Sequence, residues 1–182
     1  MEFKETGLAK GQVELKQYRF DSKLKRYISR FLSIFGENLR QQFREKYAFI
    51  VDVKLINNGI TNAGFAAMAG LVGNTGSVNA FTYIAVGTSN TAFSAAQTAL
   101  IGEISTVGLS RASATVSRIT TTQTNDTLKL SKTFTLSGSA TVEEVGAFNA
   151  ASTGDMLGRA LSGSLSLVNG DELVVNYKFK FA

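Results

Sequence analysis

The chain has 182 residues, 44% of them hydrophobic, which is enough for one domain with a real core. It contains no cysteine and no histidine, which excludes disulfide frameworks, thiolate nucleophiles, Cys/His zinc sites and the commonest general base at neutral pH. Its formal net charge of +5 sits wholly in the first 55 residues, where 12 Lys/Arg face 7 Asp/Glu.

The start, MEFKETGLAKGQVELK, lacks the apolar run of a signal peptide, and no stretch reaches the roughly 18–20 apolar residues of a membrane span, so a soluble chain is expected. Leu24, Tyr27, Ile28, Phe31, Leu32, Phe35, Leu39, Phe43 and Tyr47 recur at spacings of three and four. That pattern predicts an amphipathic helix, with Asp21 or Ser22 as its cap and Gly36 placed to bend or divide it. Its other face is basic, with Lys23, Lys25, Arg26, Arg30, Arg40, Arg44 and Lys46. Residues 48–56 turn β-branched and alternating, and read as a strand.

The segment NNGITNAGFAAMAGLVGNTGS is nearly uncharged, and Thr61 or Asn62 can cap a short helix ended by Gly73 and Asn74. Its small residues imply close packing on a neighbouring backbone. Between Asn57 and Ser110 the only charged residue is Glu103, so this stretch is expected to be covered by the fold or by a partner. From Asn79 onward the pattern is β. Phe81, Tyr83 and Ala85 alternate with Thr82, Ile84 and Val86, and TLKLSKTFTL and DELVVNYKFKF alternate apolar with polar. Expected core positions are Phe81, Tyr83, Phe134, Phe148, Val175, Tyr177, Phe179 and Phe181. Turn signals such as Asn125-Asp126 and Asn169-Gly170-Asp171 punctuate the strands at hairpin intervals. The expected fold is mainly β with an N-terminal helix (α+β), an antiparallel β-sandwich or barrel preceded by a basic amphipathic helical arm. Residues 1–56 would form the arm and residues 57–182 the β-domain.

The succession ITNAGFAAMAGLVG, FTYIAVGTSNTAFSAAQTALIGEI and ATVEEVGAFNAASTGDMLGRALSGSLSLVNGDELVVNYKFKF resembles small structural proteins of tailed viruses and prophages, described as tail-fibre-like or virion structural proteins. The resemblance spans residues 57–181 and leaves the basic helix outside. It implies a non-enzymatic virion protein, assembled in the host cytoplasm, that decorates the capsid or belongs to the head or tail. The alternative it leaves open is a host-receptor or glycan-binding fibre or adaptor module.

Partners expected on this reading are further copies of the chain, a trimer among the options, and a major capsid or tail protein. The helix offers Tyr27, Phe31, Phe35 and Phe43 as a docking stripe, against the β-domain or a lattice. Lys25, Arg26, Arg30, Arg40 and Arg44 offer a basic face for an acidic partner or for water. Nucleic-acid and membrane contact are the lesser readings of that face. No cofactor, metal or catalytic residue is assigned. Glu143 and Glu144 are strand neighbours that point to opposite faces, so they cannot readily flank one glycosidic bond; exposed strand charge is their simpler reading. Asp126, Asp155 and Asp171 fit turn chemistry better than a calcium loop. Arg111, Arg118 and Arg159 are expected in surface ion pairs.

Overall fold

A computed structural model describes residues 10–181. In chain order they form β1 (Lys10–Phe20), α1 (Lys23–Leu32), a short 3-10 turn (Ser33–Phe35), α2 (Glu37–Tyr47), β2 (Ala48–Ile60), α3 (Asn62–Gly73), β3 (Tyr83–Gly87), β4 (Ala112–Ser113), β5 (Thr115–Ile119), β6 (Thr127–Thr135), β7 (Ala140–Phe148), β8 (Met156–Leu167) and β9 (Glu172–Lys180). The strands make one antiparallel sheet in the order β4-β3-β7-β8-β2-β1-β9-β6-β5. Its two end strands, β4 and β5, are separated in the chain only by Ala114, whose N–H donates to the Thr82 carbonyl at 2.8 Å. The sheet must therefore curl until its ends meet, giving a nearly closed barrel filled by alternate side chains.

The described chain begins with a strand, and that strand is central. β1 pairs with β2 on one side and β9 on the other, and its Val13 and Leu15 lie fully buried in the core. The expected division at residue 56 thus falls inside β2, and the expected separate arm supplies two strands of the sheet. Charged neighbours obscure β1 in the sequence because its other face is half-solvated. The helical pattern inserted between β1 and β2 is divided at Gly36, whose φ of 116° takes the chain out of the helix, so α1 and α2 form a hairpin. Ser22 caps α1 by accepting from the Lys25 N–H at 3.3 Å.

The small-residue helix follows its expectation closely. Thr61 accepts the Gly64 N–H at 2.9 Å and donates to the Met156 carbonyl, while Asn74 closes α3 in the left-handed region. A Cβ at Gly64 would lie 2.3 Å from the Leu157 carbonyl oxygen, so α3 sits directly on the β8 backbone. Of the expected core, Phe81, Phe134, Phe148, Val175, Tyr177 and Phe179 are buried, and Tyr83 is half-buried beside Phe148. Phe181 is the correction. It remains 48% exposed because the ladder with β6 ends at Lys180 opposite Thr127, and its side chain lies at the rim of an apolar pocket beside Leu128 and Val72.

A chain of residues 57–182 should not fold, since it lacks β1, most of β2 and the burial of Val13 and Leu15. Far-UV circular dichroism and thermal melting check this: a cooperative β-rich melt from the truncated chain would show that β1 is dispensable.

Candidate interaction surface

Glu172 opens β9 on the outer face of the sheet, next to Tyr18 of β1 and Thr135 of β6. It is almost wholly buried there, beneath the helical hairpin. Its Oε1 accepts from the Ser29 hydroxyl at 2.6 Å and the Arg40 guanidinium at 2.8 Å, and its Oε2 accepts from Arg44 at 3.0 Å. Glu37 completes the balance, with its Oε1 accepting from Arg44 at 3.2 Å and from the Thr133 hydroxyl at 2.6 Å. Arg44 also lies over the Tyr18 ring, 5.0 Å from its centroid. Two buried guanidinium groups thus meet the buried Glu172 carboxylate and, at the seam's solvent edge, the exposed Glu37 carboxylate. Burial pushes the Glu172 carboxyl up, but the Arg40 charge and the donated hydrogen bonds outweigh it and hold the group below its ordinary range.

This seam fixes how the hairpin is turned. Arg26 and Arg30 also face the sheet end, donating to the Asn169 carbonyl at 3.1 Å and the Leu136 carbonyl at 3.2 Å. Lys25 pairs with Asp21 at 2.8 Å. The basic residues are therefore largely spent within the chain, and the apolar stripe points away from it. Tyr27 is 70% exposed and Ile34 76%, while Phe31 and Phe35 meet edge to face at 5.2 Å in full view of solvent. Of the expected stripe Ile28, Leu32 and Phe43 are half-buried, Phe43 lying 6.1 Å from the Phe20 ring. The stripe does not dock on its own β-domain because the Glu172 seam occupies that side.

The exposed apolar character continues into β2. Phe49, Ile50, Val51, Val53 and Leu55 are all exposed, and Val53 and Leu55 lie on the same outer face as Lys16 and Glu14 of β1. An exposed apolar run of this kind on an otherwise well-filled fold is a candidate interaction surface.

A second buried ion pair was not legible from composition. Arg159 and Glu144 are both fully buried, with Nε donating to Oε2 at 2.6 Å. Arg159 further donates to the Thr91 carbonyl at 2.8 Å, and Glu144 accepts the Gly102 N–H at 2.7 Å. The pair thereby ties the uncharged segment 88–104 to β7 and β8. Neither residue is the surface charge expected of it: the β7–β8 ladder places Arg159 opposite Gly146, two residues from Glu144 on the same strand face. Glu143 does point outward, to the Ser164 hydroxyl at 2.6 Å. Much of segment 88–104 remains exposed, so it is held down rather than covered. Arg111 pairs with Glu103 at 2.6 Å and stacks 3.6 Å from the Phe148 ring centroid.

The three aspartates act within the chain. Asp126 accepts N–H groups of Thr121, Thr122 and Gln123, each at 2.9 Å; Asp155 takes the Asn149 amide at 2.9 Å; Asp171 takes Arg19 and Gln17, each at 2.7 Å. A polar groove of about 450 Å³ runs between α2 and strands β5 and β6, lined by Asn38, Gln41, Thr115, Ser117, Lys129 and Ser131 among others. Comparison with family models, curated proteins and solved structures finds no match to this chain.

Glu172→Gln should cost about 3–5 kcal/mol, because it leaves the Arg40 and Arg44 charges buried with one carboxylate fewer. Denaturant unfolding measures the loss. With the folded-state carboxyl held below its ordinary 4.5, the stabilisation is complete above about pH 4.5 and fades as pH falls through the lowered value. Hydrogen exchange of residues 23–47 should follow that acid limb in the parent chain and lose it in the variant; an identical pH profile in both would remove Glu172 as the cause.

Proposed function

We propose that this chain is a non-enzymatic structural component of a tailed-virus particle, a capsid decoration or head- or tail-associated protein that attaches through the outward face of its helical hairpin. The observation that carries the reading is the polarity of that hairpin. Arg40 and Arg44 are buried against the sheet, Arg26 and Arg30 reach carbonyls at its end, and Tyr27, Phe31, Ile34 and Phe35 are left in solvent. Each such side chain gains roughly 1.5–3 kcal/mol on full burial, so a lattice groove that accepts the stripe has ample energy to draw on. The antiparallel barrel beneath supports the same reading, since it holds the hairpin rigidly enough to present one shape. The resemblance of residues 57–181 to virion structural proteins supplies the kind of particle. A major capsid or tail protein and other copies of the chain are the proposed neighbours.

A host-receptor or glycan-binding module is the second reading. The groove between α2 and β5–β6 favours it, because its amides and hydroxyls are the groups that hold sugar hydroxyls.

The double variant Tyr27→Glu/Ile34→Glu separates the two. Both positions are exposed, so its stability should stay within about 0.5 kcal/mol of the parent. Incorporation into particles, read by mass spectrometry of purified virions, should fall to background. Full incorporation would remove the hairpin from the attachment surface, and undiminished binding of the variant to host cells would favour the glycan reading.

A further inference from the structure

Among the described residues, strand β2 has a partner on one side only along most of its length. β1 pairs with it from Ala48 to Asn58, whereas β8 meets it only at Gly59 and Ile60. Among the described residues, the backbone of residues 49–57 makes no hydrogen bond to any strand other than β1. Such an open edge is a template for another strand; a bulge at Val51, where the pairing with β1 skips a residue, and the inward charges of Asp52 and Lys54 restrict it to a partner that matches them.

The side chains along this edge select the partner. Val53 and Leu55 point to the outer face, and Asp52, Lys54 and Ile56 point inward beside Gln17, Leu15 and Val13 of β1. Asp52 and Lys54 form an ion pair at 3.3 Å, each about a third exposed where β8 has diverged. The run Val51-Asp52-Val53-Lys54-Leu55 is self-complementary when read against its own reverse.

We infer that β2 pairs antiparallel with β2 of a second copy about a two-fold axis through Val53. In that register Asp52 faces Lys54 of the other copy, Lys54 faces Asp52, and Val51 faces Leu55, so two ion pairs and two apolar pairs flank the axis. A continuous sheet keeps every side chain on its own face, which allows the axis to move only by whole residues. An axis at Asp52 sets Asp52 against itself, and an axis at Lys54 sets Lys54 against itself; like charges directly opposite are unfavourable. Charge alone therefore picks the Val53 axis over its neighbours. The interface is isologous, as a two-fold pair requires. It does not rest on the particle reading, because it uses the edge of β2 and not the hairpin.

The chain has no cysteine, so Val53→Cys introduces a single thiol at the axis, where directly opposed residues come within disulfide range. Under mild oxidation the full chain carrying Val53→Cys should form a linked dimer at least roughly tenfold faster than one carrying Val72→Cys, a position 91% exposed on α3. Equal rates would overturn the pairing. In sedimentation equilibrium, Asp52→Lys and Lys54→Asp should each weaken the dimer by roughly tenfold, and the double exchange should restore it. A monomeric parent chain, or a double variant no tighter than the single ones, would also overturn it. Should a single exchange fail to fold, the thiol experiment decides alone.

Discussion

The placement of one carboxylate organises the outside of this molecule. Glu172 stands buried on the outer face of β9, so the chain must bring cations to it, and the inserted hairpin supplies Arg40 and Arg44. A helix pair has only two broad faces. Once the charged one is committed to Glu172, Thr135 and Glu37, the apolar one has nowhere to go but outward. The balance of magnitudes makes this costly for an isolated chain. A buried ion cluster contributes little net stability relative to apolar packing, whereas the outward Tyr27, Phe31, Ile34 and Phe35 side chains forgo on the order of 5–10 kcal/mol of burial. That forgone burial remains available to a neighbour, less the several kcal/mol that association itself consumes.

The barrel sets where that surface begins and ends. Its ends close through the chain segment around Ala114, so neither β4 nor β5 is left as a long open edge. The opening lies instead between β2 and β8, which touch at Gly59–Arg159 and Ile60–Gly158 and then part. Solvent reaches the inner face there, which accounts for Asp52 and Lys54 standing on that face beside Gln17 and Leu15, each about a third exposed. The charged pair and the unpaired backbone are two consequences of one divergence.

Most of the β-region could be read directly, because a strand with one wet face announces itself by alternation. Leu173, Val175, Tyr177 and Phe179 are buried as the period of two requires, and the caps at Ser22, Thr61 and Asn74 fall where short polar side chains predict. β1 escaped notice because Glu14, Lys16 and Arg19 lend it the look of a charged arm, although Val13 and Leu15 alternate correctly. The hairpin teaches a different limit. Periodicity states which residues share a face, and it found the stripe; which face turns inward depends on Glu172, 128 residues from Arg44 in the chain. The same holds for Glu144 and Arg159, which only the β7–β8 register brings together.

Both surfaces gain from being combined. Val53 and Leu55 share the outer face of the sheet with the residues beneath the hairpin, so the exposed apolar character of α1 and α2 runs toward the open edge. A two-fold axis perpendicular to the sheet preserves faces, and the proposed pair would therefore present both hairpins on the same side of one continuous sheet. Were such a pair to meet a repeating partner, two identical apolar faces would make the second contact an intramolecular event and raise avidity without any new contact. A single hairpin of modest affinity would then suffice for the durable attachment that the proposed particle role requires.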